Sequence, residues 1–94
     1  MGYIVTVTPK ARIDMQTGID YYNDQQKGLG KRFASVINAT LADIRKMPLS
    51  ASIAYGDARY KVVGKFPYCV LYRIVGNVII VSRVYNTHQQ SMNE

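Results

Sequence analysis

Carboxylates are missing from the half of this chain that is richest in β-formers. From Ala58 to Asn93 there is no Asp or Glu, and the next carboxylate is Glu94. The same stretch carries five basic residues: Arg59, Lys61, Lys65, Arg73 and Arg83. Over all 94 residues, 12 Lys and Arg stand against 6 Asp and Glu, for a formal net charge of +6 and a pI of about 9.6. A surface of one sign attracts the opposite one, so nucleic acid, the ribosome or an acidic protein segment is the expected partner class.

Other scarcities exclude whole chemistries. Cys69 is the only cysteine, which rules out an intramolecular disulfide and a cysteine zinc cluster. It lies in a predicted strand and reads as an inert thiol. His88 is the only histidine, so no metal site needing two can form. No metal, cofactor or small-molecule ligand is expected. No apolar run reaches the length of a membrane-crossing helix, and the start MGYIVTVTPK lacks the basic and long apolar regions of a signal peptide. A cytoplasmic protein with no membrane partner is the expectation. What is present suits folding: 48% hydrophobic residues and a mean hydropathy of -0.10 describe one globular domain over residues 1–94, with one modest core.

Local patterns divide the chain. Tyr3 to Val7 is a short β-branched and aromatic strand. Thr8-Pro9 is a helix start, a hydroxyl able to accept from first-turn amides and then a proline that needs no donor there. Ala11, Met15, Ile19 and Tyr22 recur at helical spacing until Lys27-Gly28-Leu29-Gly30 breaks the pattern. A second helix, from about Leu29 to Met47, buries Phe33, Val36, Ile37, Thr40, Leu41 and Ile44, and Pro48 stops it. The short glycine turn makes the two helices an antiparallel hairpin. Leu49 to Asp57 reads as a loop. Three strands follow, Ala58 to Val63, Phe66 to Val75 and Val78 to Tyr85, turned at Gly64 and at Gly76-Asn77. The expected class is α+β: a first strand, a helix hairpin on one face of an antiparallel sheet, and three C-terminal strands completing that sheet.

Alternation then sorts the strand side chains. Tyr68, Val70, Tyr72 and Ile74 oppose Cys69, Leu71 and Arg73. Ile79, Val81, Arg83 and Tyr85 oppose Val78, Ile80, Ser82 and Val84, and Arg59 with Lys61 opposes Tyr60 with Val62. With the helices on one face, the economical arrangement gathers Arg59, Lys61, Arg73 and Arg83 on the other.

At this point the chain resembles the RelE/ParE superfamily of type II toxin-antitoxin toxins, most closely its ParE-like, plasmid-stabilisation branch. The resemblance is carried by Pro9-x-Ala11-x-x-Asp14-Met15, Ile19-x-Tyr21-Tyr22, Gly28-Leu29-Gly30-x-x-Phe33, Ile44-x-x-x-Pro48, Arg59, Phe66-Pro67-Tyr68 and Tyr72-Arg73-Ile74. These run in order almost from end to end. The resemblance implies a β-α-α-β-β-β toxin held inactive by a cognate antitoxin whose segment folds along it.

The superfamily offers two mechanisms. ParE-like relatives bind and poison DNA gyrase, which implies target-binding residues on the basic sheet face: Arg59, Lys61, Arg73, Arg83 and Tyr85. The other branch consists of ribosome-dependent, metal-independent mRNA endoribonucleases, for which the candidate catalytic residues are Lys61, Arg73, Arg83, Tyr85 and His88. Such chemistry needs placed base, acid and cation. The chain departs from that branch where Cys69 replaces an expected arginine, and where Asn86 and Gln89 stand in place of a tail histidine and arginine. The reading favours a gyrase-binding toxin over an enzyme. A non-toxic relative that only binds an antitoxin is the third possibility.

Overall fold

A computed structural model of the chain describes residues 2–88. Gln89 and Glu94, both used above, lie outside them. The elements run β1 (Ile4–Val7), α1 (Pro9–Gln25), α2 (Leu29–Lys46), β2 (Ser52–Tyr55), β3 (Ala58–Val62), β4 (Tyr68–Val75) and β5 (Val78–Asn86). Five strands form one sheet in the order β1-β5-β4-β3-β2.

The helix boundaries follow from local chemistry. Thr8 Oγ1 accepts from the Ala11 amide at 3.1 Å and donates to the Ser82 carbonyl at 3.2 Å, so one hydroxyl caps α1 and ties it to β5. Pro9 takes the first helical position. Gly28 supplies the left-handed turn between the helices at φ 86°. Gly30 has a different task. It lies inside α2, where a Cβ would come within 2.5 Å of the Ile19 carbonyl oxygen, so its missing side chain lets the helices close together.

The helix hairpin packs on one sheet face. Ala11, Phe33, Ile37 and Ile44 meet Tyr68, Val70, Tyr72, Ile79, Val81 and Val84 in the main core. At one end Tyr22, Phe33, Phe66 and Tyr68 form an aromatic cluster. Its Tyr22–Phe66 and Phe33–Tyr68 ring centroids are both 4.8 Å apart and edge-on. Each such pair adds about 0.5–1.5 kcal/mol beyond its buried area.

Two features of the sheet differ from the expectation. The stretch read as a loop contains β2, which pairs antiparallel with β3 through a bulge and turns at Gly56, φ 51°. Four residues with a mixed, mostly exposed pattern carry no periodic signal, which is how edge strands commonly look. β1 pairs parallel with β5, so the sheet is mixed, with its other pairs antiparallel. Turn chemistry differs too: Gly76 is left-handed (φ 61°) as expected, but after β3 the left-handed residue is Lys65 (φ 73°) rather than Gly64.

The larger correction concerns the faces. In the β4–β5 ladder Leu71 pairs with Arg83 and Tyr72 with Val81, leaving Ser82 as an extra residue. A bulge of one residue shifts a period-2 pattern by one. Ile79 and Val81 therefore share the helix side with Val84, while Arg83 and Tyr85 turn to the outer side. There Ala58, Cys69, Leu71 and Tyr85 form a second, smaller cluster, with Ala54 and Tyr60 against it.

Candidate functional site

Register decides which basic side chains meet. Arg59 pairs with Tyr72 and Lys61 with Val70, and residues directly opposite share a face. Both partners belong to the main core, so Arg59 and Lys61 lie on the helix side of the sheet. Arg73 and Arg83 lie on the outer side, in phase with Leu71. The expected convergence of all four cations does not occur. The error lay in the phase of β3: its pattern separates a cationic face, Arg59 and Lys61, from an apolar one, Ala58, Tyr60 and Val62, and the pairing with β4 turns the cationic face toward the helices.

Each residue then has a definite local role. Arg59 donates to the carbonyls of Leu49 at 3.2 Å and Ala51 at 2.8 Å, while the Tyr72 hydroxyl donates to the Pro48 carbonyl at 2.7 Å. Together they strap down the segment after α2, and Arg59 acts there as a structural cation. Lys61 is half-buried on the same face. His88 is exposed in the turn after β5, with its backbone amide donating to Asn86 Oδ1 at 2.8 Å.

The outer arginines carry carboxylate partners that the acid-free C-terminal half does not contain. Arg83 makes a two-point contact with Asp14 of α1, Nε to Oδ2 at 2.7 Å and an Nη to Oδ1 at 3.1 Å. Both side chains are largely buried, at 13% and 15% exposure. Asp14 Oδ2 also accepts from the Val84 amide at 3.0 Å. β1 pairs with β5 only from Val78 to Val81, so Asp14 satisfies the strand edge just beyond the end of β1. Arg73 pairs with Asp57 at 3.0 Å and stands 5.8 Å from the Tyr55 ring centroid. Asp57 is highly exposed, so that pair is weak.

Beside the two arginines lies the small buried apolar cluster of Ala58, Cys69, Leu71 and Tyr85. Tyr85 is buried, and among the described residues its hydroxyl has no hydrogen-bond partner of ordinary geometry. Burial first, then the adjacent Cys69, pushes the Tyr85 phenol well above its usual range. Burial likewise pushes the Cys69 thiol up, against a smaller opposing effect of Tyr85. At neutral pH both groups keep their protons. Arg83 stands 5.7 Å from the Tyr85 ring centroid as a cation–π neighbour. With Tyr85 and Arg83 largely covered, the groups of this face that can meet another surface are the Arg73 guanidinium and the Tyr55 and Tyr60 rings. A phenol held protonated does not serve as a resting-state base.

A model of the "ParE toxin of type II toxin-antitoxin system, parDE" matches residues 5–91. The chain belongs to the ParE toxin family. Among solved structures, this ParE-family chain is similar to the chromosomal ParDE toxin-antitoxin system of P. aeruginosa. That match has a TM-score of 0.80 at 15% identity, covering 89% of this chain and 95% of that one. It is also similar to the RelBE2 toxin-antitoxin complex of Mycobacterium tuberculosis, with a TM-score of 0.63 at 21% identity, covering 92% and 99%. At such identities the likeness shows the fold. No curated protein sequence matches the chain. Among the described residues, no helix is long and apolar enough to cross a membrane.

Asp14, Asp57 and Tyr55 are the site residues that sequence reasoning missed. Asp14 had a readable signal: at three residues after Ala11 and four before Gly18, both buried, it sits on the inward stripe of α1. A carboxylate placed there needs a partner. Asp57 and Tyr55 had none, because the strand that positions them was invisible.

Proposed function

We propose that this ParE-family toxin arrests growth by binding DNA gyrase through its outer sheet face rather than by cutting RNA. On this reading a cognate antitoxin holds it inactive. The observation that carries the proposal is the split of the candidate nuclease set. Lys61 faces the helices while Arg73, Arg83 and Tyr85 face outward, so the sheet separates the groups that in-line ribose chemistry would need together. Tyr85, only 2% exposed, is also covered from any substrate on that face. The accessible Arg73 guanidinium beside the Tyr55 and Tyr60 rings suits protein or DNA–protein recognition, where arginine and aromatic anchors dominate. Gyrase binding also implies action in the cytoplasm, where chromosomal DNA lies. The antitoxin is inferred from the relatives, both of which are toxin-antitoxin systems.

The test is to induce the chain alone in bacteria and pulse-label DNA and protein synthesis. DNA synthesis should stop first, and purified gyrase with plasmid should accumulate double-strand breaks that Arg73→Ala lowers. A prior stop in protein synthesis, with mRNA cleaved only when ribosomes are present, would overturn the gyrase reading in favour of the ribonuclease. Unimpaired growth with soluble protein would favour the non-toxic relative.

A further inference from the structure

A cleft lies at the other end of the molecule from the Arg59 strap, where the tip of the helix hairpin meets the turn between β3 and β4. It encloses about 410 Å³ and is lined by Tyr22, Leu29, Arg32, Lys65, Phe66 and Pro67. Its apolar wall is stiff. Phe66 stacks edge-on against both Tyr22, at 4.8 Å, and Phe33, at 5.2 Å, and Phe33 has no exposure. Tyr22, Leu29 and Phe66 nonetheless remain half-exposed toward the cleft, so they offer apolar area that the fold itself leaves uncovered.

The polar part of the lining has one sign. Arg32 and Lys65 are exposed, and among the described residues no carboxylate lines the cleft. Among the described residues neither cation has an ion-pair partner, whereas Arg73 and Arg83 on the sheet both do. Lys65 also holds the left-handed backbone, φ 73°, that a neighbouring Gly64 could adopt more easily. A lysine kept there at a conformational cost is a sign that its position matters, since such outliers gather at ligand clamps.

We propose that this cleft docks an acidic peptide segment of a partner protein. One bulky apolar side chain of the segment enters between Tyr22, Leu29, Phe66 and Pro67, and flanking carboxylates meet Arg32 and Lys65. Charge complementarity selects this occupant: a basic or neutral segment would leave both cations unmatched. The volume suits a leucyl or aromatic anchor, and the preformed aromatic wall requires little reorganisation. The proposal deepens the partner reading above and relies on it only for the partner's biological role.

A fluorescent nine-residue peptide with a central Phe among Glu and Ser residues is the probe, titrated into the full chain at low salt while backbone amides are followed by NMR. Shifts should centre on Leu29, Arg32, Lys65 and Phe66. Affinity should fall about tenfold when the peptide's Glu residues become Gln, and again when its Phe becomes Ser. Lys65→Gly together with Arg32→Gln should have the same effect with an undiminished melting temperature, because glycine accepts the left-handed backbone. The proposal is overturned by shifts on the outer sheet face, by affinity indifferent to the peptide charges or the double variant, or by no binding at ~1 mM peptide. Growth arrest is scored separately. A chain that never arrests growth sinks the toxin reading and leaves the titration valid.

Discussion

Asp14 joins α1 to the end of β5, and its removal measures how much of the fold hangs on that link. The carboxylate accepts two hydrogen bonds from Arg83 and one from the Val84 amide, and both charged side chains are more than four-fifths buried. Removing one partner of a buried, hydrogen-bonded ion pair costs about 3–5 kcal/mol. Arg83 keeps some solvent access, which places Asp14→Ala near the lower end, at about 3 kcal/mol. Asp14→Asn retains an acceptor for the Val84 amide while losing the charge, so about 2 kcal/mol is expected. For a domain of this size each kcal/mol lowers the melting temperature by about 4–8 °C, so Asp14→Ala should melt at least ~10 °C below the parent. Urea unfolding of Asp14→Ala, Arg83→Met and the double variant gives the coupling directly, expected at about 1–3 kcal/mol. A cost below ~1 kcal/mol for Asp14→Ala, or additivity of the two changes within ~0.5 kcal/mol, would refute the reasoning. The contact would then be a surface pair of little consequence.

Two further predictions use the interior. Tyr85→Phe deletes a buried hydroxyl that has no partner of ordinary geometry among the described residues, so it should raise stability by about 1 kcal/mol; a loss would mean that the hydroxyl is satisfied, with the adjacent Cys69 thiol as its partner. Cys69, Tyr68, Tyr72 and Tyr85 all have pKa values raised by burial from ordinary values of 9.0 for the thiol and 10.0 for the phenols. The unfolded chain then loses these protons first. Stability should be flat through neutral pH and fall as pH rises past about 9, and phenolate absorbance should show a delayed class that Tyr85→Phe diminishes. Titration of all tyrosines in one step with unchanged stability to pH 11 would count against their burial. Gly18→Ala places a Cβ 2.6 Å from the Phe33 ring, and overpacking of about 1–3 kcal/mol should exceed the roughly 1 kcal/mol gained in helix propensity. Gly18→Ala combined with Phe33→Leu should recover part of that loss, and a more stable single variant would show that the ring yields freely.

What the sequence determined by itself was whatever local chemistry controls. Thr8-Pro9 announced α1 because a cap acts within one helical turn, and the observed Thr8 hydroxyl-to-Ala11 contact matches. The stripe of Phe33, Ile37 and Ile44 announced a buried α2 because 3.6-residue spacing is a property of the helix alone. Gly76 announced the β4–β5 hairpin because its backbone demand belongs to a single residue. The ordered motifs announced the family in the same way. Tertiary structure decided everything that depends on register and distance. The extra residue Ser82 moved Arg83 and Tyr85 away from Ile79 and Val81, and the β3 pairing sent Arg59 and Lys61 to the helix side. Asp14 reached Arg83 across 69 positions, so a half of the chain without acids still holds a neutralised arginine. Pattern within a strand carries two faces but not their assignment. Only the partner strand's hydrogen bonds choose between them, and that choice separates a nuclease-like cluster from the divided surface seen here.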